Sequence, residues 1–432
     1  MKNHPFHRHL FTSLLILLSI VTVGARPSAL ASTQSPNVEG AWAGTLDFGA
    51  QTLRIVLKIA KGSDGKLTAT LDSLDQGATD LPVSSISLEG STLRFEMKDL
   101  SVSFEGTVNK DATEVSGKFT QGATIPLILK RTDKKAATAT SPPTPAPPRP
   151  QEPAKPYPYD EEEVSYENKA GGVKLAGTLT TPRTKGPYPA VILITGSGPQ
   201  DRNEALLGHK PFLVLSDHFT RKGIAVLRVD DRGVGGSTGR VSESTSQDFA
   251  GDVLAGIEFL KTRAAINRKQ IGLIGHSEGG LIAPIVASRS SDVAFIVLMA
   301  GPGLTGEEIL YLQAALIQKA NGASDKAVAI NRQVQQAIFA VLKVEKDSAV
   351  AEKRIRESVS TIMAQMTEGE RKAAGGDAAI EAQMKPMLSP WFRYFITYDP
   401  KPVLSKVKCP VLAINGEKDL QVPPDENLKA IE

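Results

Sequence analysis

Between residues 36 and 131 apolar and polar positions alternate in short pieces, "LRIVLKIA", "KLTATLDSL", "STLRFEMK", "VSFEGTVN", "EVSGKFT" and "IPLILKR", separated by Gly, Asp and Asn turns. A period of two puts successive side chains on opposite faces, so this stretch predicts short antiparallel strands in a meander that closes toward a small barrel. Residues 132–160 lose all periodicity. Their run "ATSPPTPAPPRPQEPAKPYPY" cannot build a strand ladder and predicts a stiff, extended spacer. From 161 to 432 the pattern changes again, to apolar strands alternating with helical segments, which predicts a doubly wound, mostly parallel α/β sheet. We place strands at Lys174 to Thr180, Ala190 to Thr195, Ala225 to Val229, Ile271 to Ile274, Ala294 to Ala300 and Val411 to Asn415, with helices at Pro211 to Lys222, Phe249 to Arg263 and Glu278 to Ser288. Residues 304–398 interrupt the alternation with heptad-like spacing, as in "EEILYLQAALIQKA", and read as a helical cap inserted between two strands.

Composition narrows the class. With 41% hydrophobic and 22% charged residues over 432 positions, the chain is globular and long enough for two or three domains. Residues 1–31 read as a secretory signal: Lys2 and Arg8 at the start, an apolar run from Leu10 to Val23, and the cleavage-like Ala29-Leu30-Ala31. That run is short for a membrane span, so the expectation is an exported protein, periplasmic or extracellular, with no stable membrane insertion. Its loss removes Lys2, Arg8 and Arg26 from 50 basic residues and none of the 47 acids, leaving a formal charge of zero. Nucleic acid is therefore not an expected partner. His4, His7 and His9 have metal-like spacing but fall in the signal. The single Cys409 cannot form an internal disulfide and, before Pro410 and an apolar strand, reads as an inert buried thiol.

The chemistry centres on Gly275-His276-Ser277-Glu278-Gly279, a G-x-S-x-G sequence between the strand "IGLIG" and the helix start "GGLIAPIVA". A serine there lands on a sharp strand-to-helix turn, where small neighbours permit close backbone approach. The helix N-terminus adds free N–H groups and positive dipole. The N–H of Glu278 supplies half of an oxyanion hole. The Gly-rich loop in "VILITGSGPQDRNE" supplies the other half, with the N–H of Ser197 as the preferred donor.

Four motifs, "TGSGPQDRNE", "GHKPFLVLSDHFTRKGIAVLRVDDRGVGGSTG", "IGLIGHSEGG" and "INGEKDLQVPP", in that order, resemble the α/β-hydrolase superfamily, in particular secreted bacterial esterases and serine aminopeptidase-like hydrolases. The resemblance covers Val164 to the end. It implies a Ser, acid, His triad in chain order, with Ser277 as nucleophile and Asp419 as acid, Glu417 being the fallback. It implies a small-molecule carboxylic ester as substrate, no metal and no organic cofactor. Amide cleavage on the same triad remains an alternative, with Glu307 and Glu308 as candidate amine recognisers. The Asp230-Asp231-Arg232 turn is assigned to an ion pair that fixes the loop. The cap segment "SPWFRYFITY" offers Trp391, Phe392, Tyr394 and Phe395 as pocket walls or as cap core.

The resemblance also implies a histidine some twenty to forty residues beyond Asp419, and none lies between Asp419 and Glu432. His209, His218 and His276 are the remaining candidates. The expectation is a fragment whose strand Val411 to Asn415 lacks an outer neighbour and whose triad histidine lies beyond Glu432. A natural end there implies instead a non-catalytic binding protein.

Overall fold

A computed structural model describes residues 36–132 and 149–432 apart from 48–51, 63–64, 75–77, 98–101, 122, 207, 365, 368–383 and 385. The segment read as a signal, its three histidines and most of the proline-rich stretch lie outside the described residues. The chain divides into two compact units, one within residues 1–148 and one from Arg149 onward.

In the first unit the described residues form nine antiparallel strands: β1 Gly40–Asp47, β2 Thr52–Lys61, β3 Leu67–Ser73, β4 Ala78–Pro82, β5 Ser85–Glu89, β6 Thr92–Met97, β7 Val102–Val108, β8 Glu114–Gln121 and β9 Ala123–Thr132. Their order is β4-β3-β2-β1-β9-β8-β7-β6-β5, a curled half-barrel with β4 and β5 at its edges. Alternation does what it predicts. In β7, Val102, Phe104, Gly106 and Val108 are buried and the residues between them exposed. The inward set fills the interior, with Phe95 stacked on Phe104 at 5.1 Å between ring centroids. Trp42 is fully buried, donates its indole N–H to the Val38 carbonyl at 2.8 Å, and is covered by the Arg131 guanidinium 4.6 Å from its ring.

The second unit is a seven-stranded sheet. Its strands are β10 Asp160–Asn168, β11 Val173–Thr181, β12 Tyr188–Ile194, β13 Ala225–Val229, β14 Ile266–His276, β15 Val293–Met299 and β16 Val411–Ile414, in the order β10-β11-β13-β12-β14-β15-β16. The first two pair antiparallel and the rest parallel. Helices α1 Pro211–Arg221, α2 Ser246–Thr262 and α3 Glu278–Ala287 follow β12, β13 and β14. The central strands read as continuous apolar runs because both faces are covered. One face carries Ile192, Leu227, Leu273 and Ile282 in its core, the other Val191, Leu193, Phe212 and Val226.

Between β15 and β16 stand α4 Gly306–Ala320, α5 Asp325–Val344, α6 Ser348–Met363, α7 Pro390–Thr397 and α8 Lys401–Leu404, the expected cap and its return; α9 Pro424–Ile431 follows β16. Two boundaries differ from the sequence reading. Residues 149–159, read as spacer, belong to the second unit, where Tyr159 is buried and donates to Asp217 at 3.0 Å. The strand β10 had been passed over because four consecutive acids, Asp160 to Glu163, open it. Those acids are exposed and pair with basic groups, Asp160 with Arg183 at 2.8 Å and Glu161 with Lys155 at 2.8 Å. At the opposite edge β16 is bare: Val411, Leu412 and Ile414 are 42%, 55% and 47% exposed.

Candidate active site

The strand β14 delivers Ser277 to the carboxyl end of the sheet, where α3 begins one residue later. Ser277 has φ 51° and ψ −116°, a left-handed backbone that a side chain other than glycine rarely adopts. The turn closes tightly. A Cβ placed on Gly275 would stand 2.0 Å from the Gly279 carbonyl oxygen, and one on Gly279 would stand 2.2 Å from that of Ile194. Ser277 N–H donates to the Met299 carbonyl at 2.9 Å, and its own carbonyl accepts from Gly280 at 2.8 Å. The serine is thus pinned from both sides and remains partly exposed. Glu278, as first residue of α3, has an N–H without an intrahelical acceptor.

The loop that follows β12, residues 195–200, is where the sequence reading places the second half of the oxyanion hole, and two carboxyls hold it. Asp231 accepts from the Thr195 hydroxyl at 2.7 Å and from the Gln200 N–H at 2.9 Å. Glu204 accepts from the Gly196 N–H at 2.7 Å. The carboxyl of Glu278 is buried at the start of α3 and accepts from the Ser246 hydroxyl at 2.6 Å. Sequence reasoning assigned Glu278 only a backbone role; the side chain was missed because a polar residue at a helix start ordinarily faces water.

Burial pushes the Asp231 carboxyl up to about 7, with the charges of Glu278 and Glu204 adding to the effect and the Thr195 and Gln200 hydrogen bonds opposing it. Burial likewise raises Glu278, opposed by the hydrogen bonds of Ser246 and Trp391. Asp230 stays well ionised: burial works against it, but Arg202, 2.7 Å away, holds its carboxyl below the ordinary range. The turn assigned to ion pairs therefore makes two, Asp230 with Arg202 and Arg232 with Asp252 at 2.6 Å.

His276 does turn away from Ser277. Its Nδ1 lies 2.8 Å from Glu204 Oε1, the same oxygen that receives Gly196. Burial lowers its proton affinity, but the Glu204 hydrogen bond and charge, together with the charge of Asp419, raise it overall. Asp419 sits on the loop after β16. One of its oxygens, Oδ1, accepts the N–H groups of Gln421 and Val422 at 2.8 and 3.0 Å, which fixes the carboxylate while leaving Oδ2 free to meet an imidazole. His209 lies 3.5 Å from Gln151, and His218 packs edge-on against Phe219. Among the described residues neither bonds Ser277 or Asp419.

Of the cap aromatics, Trp391 is partly exposed, stacks on Phe395 at 5.2 Å and donates its indole N–H to Glu278 Oε1 at 2.8 Å. Tyr394 accepts from Gln247, and Phe392 and Phe395 are buried, Phe392 against Phe339. Cys409, expected to be buried, is partly exposed, just before the bare strand β16. Among the described residues no group of His, Cys, Asp and Glu is arranged to hold a metal ion, and no helix is long and apolar enough to cross a membrane.

Strand order β10-β11-β13-β12-β14-β15-β16 with a serine elbow after β14 and an acid after β16 defines an α/β hydrolase fold. Residues 171–431, more than half of the chain, match the X-Pro dipeptidyl-peptidase (S15) family, and the chain belongs to it. Esterase EstD of Thermotoga maritima is 27% identical over 215 residues, 50% of this chain and 50% of EstD, so the chain spans about half the length of that relative. Among solved structures it is similar to the α/β hydrolase GrgF from Penicillium sp. sh18, with 17% identity over 63% of this chain and 85% of that one at a TM-score of 0.40. An esterase of Pyrococcus furiosus is 18% identical over 66% of this chain and 81% of that one, at a TM-score of 0.38.

Proposed function

We propose that this protein hydrolyses carboxylic esters through an acyl-enzyme on Ser277. The backbone of Ser277 carries the reading. A serine kept at φ 51° between two glycines that admit no Cβ is a strained arrangement with no packing benefit, and such strain persists where a side chain must project into a site. Ser277 Oγ attacks the acyl carbon and its proton passes to an imidazole; the carbonyl oxygen, now negative, meets the N–H groups of Glu278 and Ser197. The imidazole returns the proton to the departing alcohol, and water repeats the sequence on the acyl-enzyme.

Asp419 orients that imidazole. Among the described residues no histidine bonds Ser277 or Asp419, so we assign the base to a histidine outside them; Oδ2 of Asp419, on which no bond is seen among the described residues, supports this. Residues 1–31 are proposed to direct export.

Ester is favoured over amide because the two acids that could have recognised an amine are spent. Glu308 completes a capping box with Thr305, and Glu307 is bound by Lys343 at 2.7 Å and Tyr311 at 2.7 Å. The name of the matched relative, an esterase, agrees. Ser277→Ala should lower kcat for a short-chain aryl ester by several orders of magnitude and abolish labelling by a fluorophosphonate; retained labelling refutes the nucleophile. Faster turnover of an X-Pro anilide than of the ester would move the peptidase reading to the front.

A further inference from the structure

Glu204 is held in a backbone conformation that it does not favour. Its φ is 50°, in the left-handed region that residues with a side chain seldom occupy. The turn around it enforces this: Glu204 N–H donates to the Asp201 carbonyl at 2.8 Å, and Asp201 Oδ1 accepts from the N–H groups of Asn203 at 3.1 Å and Ala205 at 2.8 Å. The chain is also fastened on either side, Arg202 N–H to Asp230 Oδ1 at 2.9 Å and Phe212 N–H to the Asn203 carbonyl at 3.1 Å. Strain of this kind persists where the surroundings over-determine it, and what it delivers here is a carboxylate only 7% exposed.

One oxygen of that carboxylate joins two segments of the site. Glu204 Oε1 accepts from the Gly196 N–H at 2.7 Å and lies 2.8 Å from His276 Nδ1. A carboxylate only accepts, so Nδ1 carries the hydrogen. Gly196 belongs to the loop after β12, and His276 is the residue before Ser277. The two segments are close: a Cβ built on Gly196 would stand 3.4 Å from His276 Nδ1, 3.4 Å from Ser277 Cβ and 3.2 Å from Glu204 Oε1 itself. The missing side chain lets loop and elbow approach, and Glu204 bonds them across that approach. Because its N–H is taken by Glu204, Gly196 cannot serve the oxyanion, and the loop's share of the hole passes to the next amide, that of Ser197 in the reading above.

We propose that Glu204 is a positioning residue that ties the loop of residues 195–200 to the elbow through Gly196 and His276, and so sets the distance between the oxyanion hole and the Ser277 hydroxyl. The inference rests on the reading of Ser277 as nucleophile and of a loop amide as donor. Glu204 touches no reacting atom, so its effect is geometric. A donor displaced by about one ångström from the oxygen it stabilises can cost about a hundredfold in rate. That cost falls on kcat, because the bond to the oxyanion is made in the transition state and not in the bound ester.

The test combines amide exchange with steady-state kinetics on the full chain. In Glu204→Ala the Gly196 amide should exchange at least about tenfold faster with β12 unchanged, while kcat for a short-chain aryl ester falls about thirtyfold and KM stays within about twofold. Glu204→Gln, whose amide oxygen can accept at the same place, should recover at least about tenfold of that loss, which general destabilisation would not allow. His276→Ala cuts the other end of the tie, and combined with Glu204→Ala it should be slower than the worse single variant by no more than about twofold. Unchanged exchange at Gly196, a loss confined to KM, no recovery in Glu204→Gln, or losses that multiply in the double variant each overturn the proposal. If the unmutated protein fails to take up a fluorophosphonate, the nucleophile reading falls by itself, and exchange at Gly196 still decides whether the tie exists.

Discussion

The side chain of Asp231 shows how a single residue ties stability to pH. Its carboxyl is raised to about 7 in the folded protein, above the ordinary range near 4, so between these values the folded state binds more protons than the unfolded one. Stability is therefore fully present below pH 4 on this account and is lost as pH rises through about 7. Three pH units at 1.36 kcal/mol each cap the effect at about 4 kcal/mol, an upper bound because Asp231 keeps partial contact with water. Glu278 and His276, both raised, slope the same way. Asp231→Asn should flatten the dependence of Tm on pH between 5 and 8; an unchanged slope assigns it to other groups. At Gly275 the effect is steric: Gly275→Ala puts a Cβ 2.0 Å from backbone oxygen, and we expect a loss of about 4 kcal/mol, read by chemical denaturation.

Among elements, β14 and α3 were legible because their apolar runs, the two glycines and the serine all point to one geometry, and local and global demands agree there. The helices α1 and α2 and the parallel strands fell within a few residues of expectation for the same reason. The edge strand β10 was not legible. An edge strand is exposed on one side, and its acids hide the two inward residues, Val164 and Asn168, that mark it as a strand. At the site, the strand-to-helix turn at Ser277 and the glycine-rich loop after β12 could be read from spacing, while the grip of Asp231 and Glu204 on residues 195–200 could not, since it joins positions up to 36 apart that only the folded sheet brings together. The strand β16 carries its own prediction. Leu412→Lys, on a side chain 55% exposed, should reduce self-association in light scattering without lowering Tm, because no packing is lost.

At the scale of the molecule, the two units have separate cores, one of Trp42, Phe95, Phe104 and their neighbours, the other built on β12 to β15. A chain cut between 133 and 148 should yield two pieces that each unfold cooperatively, and calorimetry of the 149–432 piece should reproduce its transition in the full protein. The two edges of the second sheet have unlike consequences. The β10 edge is fenced with charge, Asp160 to Glu163, and the β16 edge is apolar. Copies that meet β16 against β16 are related by a two-fold rotation, and each meeting uses up that strand on both sides. Such an assembly is closed by its own symmetry. Association of this kind ends at pairs, because the opposite edge of the same sheet is fenced with charge.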